Sequence, residues 1–332
     1  MTVTLPLYLA SRENEQRGST ILGYNAVEEL SETNAVLVEA KTLFPPNAIK
    51  INNICGYDKP KSRCEGKINI DEAIIYAASL AVSSDSVLAD AFFNMLNYKQ
   101  ELLKPVSGCI YENGLGVMGW IDRRRVLLGN RQHMKSHEIT VPNNKKEAAA
   151  NVNNDEVIYL AVGGEVCLLF FVQLKADPVV MNCVQNLCYR DISLVIKTVD
   201  GMISPSAVTE LFQVDAENVK ILPFEAHETF NEHTKFVSSG SAAVSCTGTL
   251  RSFTGAIVTS RNIRGRAMLG SIIQTAFVGL GILLAVIFMM FVKDGDNKPN
   301  AAMFGMFNMF NILIYNLGSA VVTLAAQFFK RP

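Results

Sequence analysis

Two acidic side chains follow predicted strands, where they are placed to take part in chemistry. Glu39 ends the apolar run NAVLVE, and Asp200 ends the run LVIKTVD. In α/β sheets, ligands lie at the carboxyl ends of the strands, so both carboxylates stand where binding or reaction would occur. Asp200 has an alternative interpretation as a turn or capping residue after its strand. The sequence leaves both interpretations of Asp200 open.

Histidine spacing offers a second candidate, a metal site. His133 and His137 are four residues apart, which places them on one face of a helix, and imidazoles are common zinc ligands. No third ligand is evident nearby in the sequence, and His227, Glu228 and His233 lack the HExxH spacing. We therefore expect no metal site at these histidines.

A glycine-rich stretch, ENGLGVMGWIDRRRVLLGN at residues 112–130, is the third candidate. Its alternation of apolar and polar residues around glycines is typical of antiparallel strands and tight turns. Gly114 and Gly116 are either turn formers or positions where a nucleotide can approach the backbone closely. The sequence leaves both roles open.

The order of elements around these residues predicts the architecture. A buried strand at residues 34–39 precedes two helices within residues 71–98, which are separated near Ser83 to Ser86. Antiparallel strands follow, and then a helix and a strand that ends at Asp200. Strand, helix and strand with inserted antiparallel material predict an α/β domain interrupted by a second domain.

Two long apolar segments close the chain. Residues 267–292 and 301–329 carry no charge over 26 and 29 residues, and a helix needs about 20 apolar residues to span a bilayer. Arginines precede the first segment and Lys330 and Arg331 follow the second, so the positive-inside rule predicts a transmembrane hairpin with the soluble domains and both termini in the cytoplasm. The polar residues in the segments predict hydrogen bonds between the two helices, with an ion path lined by Asn308 and Asn311 as the alternative. They are Gln274, Asn308, Asn311, Asn316 and Gln327.

Composition excludes other classes of protein. The net charge of −1 with 18% charged residues is too neutral for a nucleic-acid binder, and 49% hydrophobic residues are too many for a disordered chain. The seven cysteines are scattered without a CxxC pair, which indicates neither a disulfide framework nor a zinc ribbon.

The combination of motifs resembles the P-type ATPases, and within them the heavy-metal-transporting branch. The segments TLPLYLA, GSTILGYNAVEEL and NAVLVEAKTLF follow the family's order up to its phosphorylated strand. AASLAVSSDSVLADAF resembles the helix pair of the family's nucleotide domain, and Thr198 to Asp200 resembles its TGD motif. Its glycine motif and the following GN pair are matched here by a set of five residues: Gly114, Gly116, Gly119, Gly129 and Asn130.

The resemblance implies that several functional residues of the family are replaced in this chain. Glu39 stands at the family's aspartate nucleophile, and its extra methylene misplaces the carboxylate where about 1 Å costs roughly a hundredfold in rate. Thr247 stands where the family has a magnesium-binding aspartate, and a hydroxyl is a poor substitute for a carboxylate. Ser86 replaces the histidine of the nucleotide domain, whereas Asp85 keeps a carboxylate beside it. The resemblance leaves ATP as a candidate ligand and counts against Mg²⁺.

From the resemblance we expect a haloacid-dehalogenase-like α/β domain with an inserted α+β nucleotide-binding-like domain and a C-terminal two-helix transmembrane hairpin. The expected boundaries are as follows: 1–19, a juxtamembrane segment; 20–50 and 158–260, the phosphorylation-like domain; 51–157, the inserted domain; 267–292 and 301–329, the membrane helices.

The expected function is that of a membrane-anchored, catalytically degenerate homologue with a regulatory or scaffolding role. A working cation-transporting ATPase, or a C-terminal piece of one, and a structural membrane protein without nucleotide binding are the alternatives. The expected partners are the membrane and another membrane subunit that supplies further helices, with no nucleic acid.

Overall fold

A computed structural model describes residues 4–57, 69–143, 155–235, 244–291 and 309–329 of the 332-residue chain. The chain divides into two compact units, one formed by residues 1–33 with 240–332 and the other by residues 34–239. We call them the membrane unit and the central unit.

The helices and strands alternate through both units. The helices are α1 (Thr4–Arg17), α2 (Tyr24–Ser31), α3 (Ala40–Leu43), α4 (Ile70–Ser83), α5 (Ala89–Met95), α6 (Arg131–Ser136), α7 (Pro178–Cys188), α8 (Pro205–Phe212), α9 (His227–His233), α10 (Leu250–Phe291) and α11 (Met309–Phe329). The strands are β1 (Ser19–Ile21), β2 (Ala35–Glu39), β3 (Ile49–Gly56), β4 (Ser107–Glu112), β5 (Gly116–Ile121), β6 (Arg124–Gly129), β7 (Glu156–Val162), β8 (Glu165–Leu174), β9 (Ser193–Lys197), β10 (Val219–Ile221) and β11 (Val244–Cys246).

The central unit contains a small parallel sheet with strand order β10-β9-β2. Exposure alternates along β2 and β9, so one face of each strand is buried, with Leu194 and Ile196 fully covered. Helix α7 begins at the cap Asp177, whose carboxylate accepts a hydrogen bond from the amide of Val179 at 2.8 Å. These helix-connected parallel strands confirm the predicted α/β core.

A six-stranded antiparallel sheet, β3-β8-β7-β6-β5-β4, is inserted between β2 and β9. Its strand β8 is buried on both faces. Phe170 meets Phe92 of α5 edge-on on one face, at a centroid distance of 4.8 Å, and Phe171 joins a cluster with Tyr159 and Met134 on the other. Helices α4 and α5 end and begin on either side of the predicted break at Ser83 to Ser86, which confirms the helix pair.

The predicted domain boundaries are wrong in two places. Strands β7 and β8 pair with β6 and β3, so the inserted sheet extends to residue 174 and not to 157. Strand β1 pairs with β11 in the membrane unit, so residues 20–33 and 244–260 do not belong with the parallel sheet. In both places the strand belongs to the sheet with which it forms hydrogen bonds, and its partner strand is distant in sequence.

The membrane unit is organised around α10, a single helix of 42 residues. At 1.5 Å per residue it is roughly 63 Å long. Ile263 of α10 packs with Ala10 of α1 and Val27 of α2 in a small buried core. We expected a phosphorylation-like segment to end at residue 260 and a separate membrane helix to begin at 267, but the helix runs through both.

Helices α10 and α11 are long and apolar enough to cross a membrane over Leu250–Ile287 and Asn311–Phe328, and 6% and 11% of their most apolar windows are buried in the chain. The two helices contact each other through Tyr315, whose hydroxyl donates to the carbonyl of Phe277. Gln327 of α11 also donates to the carbonyl of Arg266 at 3.3 Å. The predicted interhelical hydrogen bonding is present at Gln327, whereas the Tyr315 bond was not predicted. The predicted turn at residues 293–300 lies outside the described residues.

Candidate functional site

A cleft of about 380 Å³ lies at the carboxyl ends of β2 and β9 in the central unit. Glu39 and Lys197 are paired neighbours in the register of these two strands, and Thr198 to Asp200 follow β9. The cleft therefore forms where the strand order predicted it. Fourteen residues line it: Glu39, Ala40, Lys41, Ser84, Asp85, Val87, Tyr111, Lys197, Thr198, Val199, Asp200, Phe224, His227 and Asn231.

Asp200 is the most deeply held acidic group of the cleft. It is only 8% exposed, and its two carboxylate oxygens accept hydrogen bonds from the Ser86 hydroxyl and from the amide of Val87 at 2.9 Å. Its own amide donates to the Thr198 hydroxyl at 3.1 Å. Asp200 thus joins the parallel sheet to the segment between α4 and α5, a contact that we call the Asp200 clamp.

Burial raises the pKa of Asp200 to about 6, although the hydrogen bonds from Ser86 and Val87 act in the opposite direction. An aspartate buried away from water loses solvation of its charged form, and two donors restore only part of it. Asp200 therefore titrates close to neutral pH.

Glu39 is held by a lysine from the neighbouring strand. Lys197 Nζ lies 3.1 Å from a Glu39 carboxylate oxygen and donates to the Asn231 side chain at 2.7 Å. The lysine also lies over the Phe230 ring, 4.7 Å from its centroid, and its side chain is 16% exposed. Lys197 was not among the predicted site residues, although it ends β9 and is the paired neighbour of Glu39 in the parallel sheet, a position that the strand pattern could have indicated.

A second ion pair crosses the cleft. Lys41 in the short helix α3 pairs with Asp85, which adopts a left-handed backbone with φ of 60°. Both side chains are well exposed, at 40% and 70%. Four of the predicted site residues therefore meet in the cleft: Glu39, Asp85, Thr198 and Asp200.

The glycine set does not line this cleft, although all of it lies in the described part of the chain. Gly116 and Gly129 are paired neighbours in β5 and β6, and a Cβ on Gly129 would lie 2.4 Å from Nδ1 of His133. Asn130 caps α6 and donates to the carbonyls of Gly114 at 2.8 Å and Gly201 at 3.2 Å. In this structure these residues serve close packing, which agrees with the turn-forming alternative.

Thr247 belongs to the membrane unit, where its amide donates to the carbonyl of Gly18 at 3.0 Å. A Cβ on Gly18 would lie 2.8 Å from the Thr247 hydroxyl oxygen, so this threonine packs tightly on a glycine turn. Nothing in this environment makes Thr247 a substitute for a carboxylate.

The three carboxylates that line the cleft each contact a protein group. Mg²⁺ favours carboxylate oxygens and water in an octahedral arrangement. Each cleft carboxylate already has its own partner: Lys197 for Glu39, Lys41 for Asp85, and two donors for Asp200. Glu39 and Asp85 each pair with a lysine, whereas the two donors of Asp200 are neutral, and no step of any reaction is assigned to the ion here.

Comparison with known proteins yields several relatives, although no family model matches the chain. A copper-transporting P-type ATPase of Rhizobium leguminosarum bv. viciae is 21% identical over 224 residues, which cover 67% of this chain and 26% of that protein. A copper-exporting P-type ATPase of Legionella pneumophila subsp. pneumophila is 23% identical over 218 residues, which cover 65% and 28%. The chain thus spans little more than a quarter of the length of these curated relatives.

Solved structures also match the chain at low sequence identity. A zinc-transporting PIB-type ATPase in the E2.Pi state aligns with 98% of this chain and 54% of its own, at 15% identity and a TM-score of 0.44. The catalytic domain of the CPx-ATPase CopB-B, described in relation to nucleotide binding, aligns with 67% of this chain and 75% of its own, at 16% identity and a TM-score of 0.38.

Proposed function

This chain is a homologue of the heavy-metal P-type ATPases, and from that premise we propose that it is a membrane-anchored form that does not hydrolyse ATP and that acts through binding and scaffolding. The observation that carries the proposal is the Asp200 clamp. Two donors from the inserted domain occupy both oxygens of the carboxylate that the TGD resemblance marks as functional.

Glu39, which stands at the position of the family's nucleophile, is poorly suited to attack a phosphate. Phosphoryl transfer requires an in-line nucleophile, and displacement of the reacting group by about 1 Å costs roughly a hundredfold in rate. Glu39 extends one methylene further than aspartate and forms an ion pair with Lys197 at 3.1 Å. A carboxylate engaged in this way is a poor nucleophile, because attack on a phosphate requires it to leave the lysine.

The lysines of the cleft are also poorly placed for catalysis. Catalysis of phosphoryl transfer depends on cations that neutralise the phosphate oxygens. The two cleft lysines are each paired with a carboxylate, Lys41 with Asp85 and Lys197 with Glu39. A nucleotide would have to compete with these carboxylates for the same lysines.

ATP remains a candidate ligand of the cleft on this proposal. A volume of about 380 Å³ falls in the range of small-molecule sites, which begins near 300 Å³, and the two lysines offer positive charge to a triphosphate. We expect the binding to be weak and independent of Mg²⁺, because the ion pairs must open and the carboxylates do not fit the ion.

Helices α10 and α11 supply the proposed anchor. Their apolar windows are largely uncovered by the rest of the chain, which suits contact with lipid. Basic residues precede the first segment and follow the second, so we propose that both ends and the central unit lie in the cytoplasm. Two helices cannot enclose an ion path by themselves, so a transport role would require further membrane helices from a partner subunit or a longer chain.

The decisive experiment tests for an acyl phosphate. The full chain in detergent is incubated with γ-labelled ATP and Mg²⁺, quenched in acid and compared with Glu39→Ala and Glu39→Asp. We expect no label above the Glu39→Ala background in the wild type, and none in Glu39→Asp, because the Lys197 contact and the poor magnesium site remain. Labelling or turnover in either protein contradicts the proposal and supports the alternative of a cation-transporting ATPase or a piece of one.

Calorimetry on the same preparations separates the binding alternatives. Saturable heat on addition of ATP without Mg²⁺, reduced in Lys41→Ala, supports a nucleotide-sensing role. An absence of heat from folded protein at two temperatures supports a structural membrane protein that does not bind nucleotide.

A further inference from the structure

A second polar cluster lies in the central unit, outside the lining of the cleft. Glu112 at the end of β4, His133 in α6 and His137 just after α6 bring one ligand atom each to within 4.8 Å of one another. The distance from His137 Nε2 to a Glu112 oxygen is 2.6 Å, and that from His133 Nε2 to the other oxygen is 3.8 Å. The sequence offered the two histidines without a third ligand, and the fold supplies Glu112.

Strand register explains how these side chains meet. Glu112 is the paired neighbour of Gly116, which is the paired neighbour of Gly129, so the three residues lie side by side across β4, β5 and β6. Helix α6 begins two residues after Gly129. The two glycines carry no side chains, and the His133 ring fills the space above them, since a Cβ at Gly129 would lie 2.4 Å from its Nδ1.

His133 is the unusual member of this cluster. Its side chain is completely buried, and within the described residues neither ring nitrogen has a hydrogen-bond partner of good geometry. A buried polar group without a partner costs about 1–3 kcal/mol. A cation bound at Nε2, which faces Glu112, would give that nitrogen a partner, because an imidazole nitrogen donates its lone pair to a metal.

We propose that Glu112, His133 and His137 form a three-ligand site for a divalent cation of the zinc type, with water as the fourth ligand. Two imidazoles and one carboxylate suit Zn²⁺ better than Mg²⁺ or Ca²⁺, which favour all-oxygen sites. The side chains of Glu112 and His137 are 26% and 17% exposed, which gives the ion and its water a path from solvent. This proposal does not depend on the proposed function, because none of the three residues lines the cleft.

The geometry requires only small side-chain adjustments. Bonds of about 2.0–2.1 Å in a tetrahedral site place the ligand atoms roughly 3.4 Å apart. The ligand atoms lie within 4.8 Å of one another and the shortest separation is 2.6 Å, so movements of about 1 Å of the partly exposed Glu112 and His137 side chains towards the buried His133 would complete the site. The cation would tie α6 to the end of β4 across the glycine pair.

The test uses the full chain in detergent, purified with a tag that contains no histidine and kept reduced. Zn²⁺ is titrated against a chromophoric chelator, and Co²⁺ is added to a second sample for its visible spectrum. We expect one tight equivalent of Zn²⁺ and a cobalt spectrum of nitrogen and oxygen ligation. His137→Gln and Glu112→Gln should each weaken binding at least tenfold, whereas the matched control His233→Gln, an exposed histidine elsewhere in the unit, should leave it unchanged.

Three results would overturn the proposal. They are no Zn²⁺ binding by the wild type, binding that survives both His137→Gln and Glu112→Gln, and a thiolate-to-cobalt charge-transfer band, which would assign the ion to cysteines. The first result would leave the 2.6 Å contact as a simple histidine–glutamate pair. Hydrogen exchange gives a second readout, because bound Zn²⁺ should slow exchange in residues 131–139 of the wild type and not of His137→Gln.

Discussion

The two polar clusters of the central unit differ in whether their buried group has partners. At the Asp200 clamp, a carboxylate that is 8% exposed receives two donors, and each ion pair of the cleft is matched in charge. At the Glu112, His133 and His137 cluster, a fully buried imidazole has no partner of good geometry among the described residues. A buried group whose hydrogen bonds are all made, such as Asp200, stabilises the fold. A buried group without partners, such as His133, is available to bind a ligand.

The largest expected effect comes from removing a donor at the saturated cluster. Ser86→Ala deletes a hydrogen bond to a buried carboxylate, which is worth about 2 kcal/mol when the acceptor is charged. Hydrogen exchange in residues 84–96 of the full chain at pH 7.5 should become roughly 30-fold faster. The matched control Ser107→Ala, an exposed serine of β4, should leave the rate unchanged, and equal effects of the two substitutions would mean that the clamp adds nothing.

The pH dependence of the same contact is next in size. Because the pKa of Asp200 is raised from 3.8 to about 6 in the folded chain, its stabilising contribution is complete below about pH 3.8 and is lost as the pH rises through 6. Between pH 5.0 and pH 7.5 the free energy of opening should therefore fall by roughly 1.4 kcal/mol. Protection factors for residues 84–96 at both pH values check this, with Asp200→Asn as the variant that should show no such fall.

Removal of the buried group at the unsaturated cluster should have the opposite sign. His133→Leu replaces an unpartnered imidazole by an apolar side chain, so in metal-free protein we expect α6 to be unchanged or stabilised by about 1 kcal/mol. The measurement is hydrogen exchange in residues 131–139 with chelator present. A strong loss of protection would show that the ring has partners after all and would remove the contrast between the two clusters.

The smallest effect is expected at the exposed ion pair. Lys41→Ala breaks the contact with Asp85, whose side chains are 40% and 70% exposed, and pairs of this kind are worth less than about 0.5 kcal/mol. Thermal unfolding of the full chain should therefore be unchanged within error. Lys197→Met, which removes the less exposed lysine from Glu39, should lower the midpoint measurably in the same assay.

Sequence patterns predicted where the strands end but not which strands pair with one another. Glu39 and Asp200 were placed at the edge of the parallel sheet from the apolar runs before them, and the structure brings them to one cleft. Antiparallel strands were predicted before the strand that ends at Asp200, yet the boundary at residue 158 assigned most of β7 and all of β8 to the phosphorylation-like domain. An apolar run indicates that a strand is buried but does not say which sheet it joins. The sheet of β7 and β8 is decided by their pairing with β6 and β3, and nothing in the sequence of these strands indicates that pairing.

Side-chain partners were harder to predict than backbone elements. Ser86 was recognised as a departure from the family's histidine, but its hydrogen bond to Asp200 joins residues 114 positions apart. Glu112 was not connected with His133, because the connection passes through two strand registers. The predicted membrane helix began at residue 267 because the uncharged segment begins there, but arginine is a good helix former and α10 already runs through residues 250–266.

The packing of helix α10 on α1 and α2 affects the order in which the parts of the chain fold during synthesis. Helices α1 and α2 bury Ala10 and Val27 against Ile263, a residue more than two hundred positions later. At about 5–20 residues per second, the ribosome needs roughly 10–40 s to travel from the end of α2 to the start of α10. During that interval the intervening segment can form its own sheets. The apolar faces of α1 and α2 remain exposed in the nascent chain, where chaperones or the membrane surface can bind them.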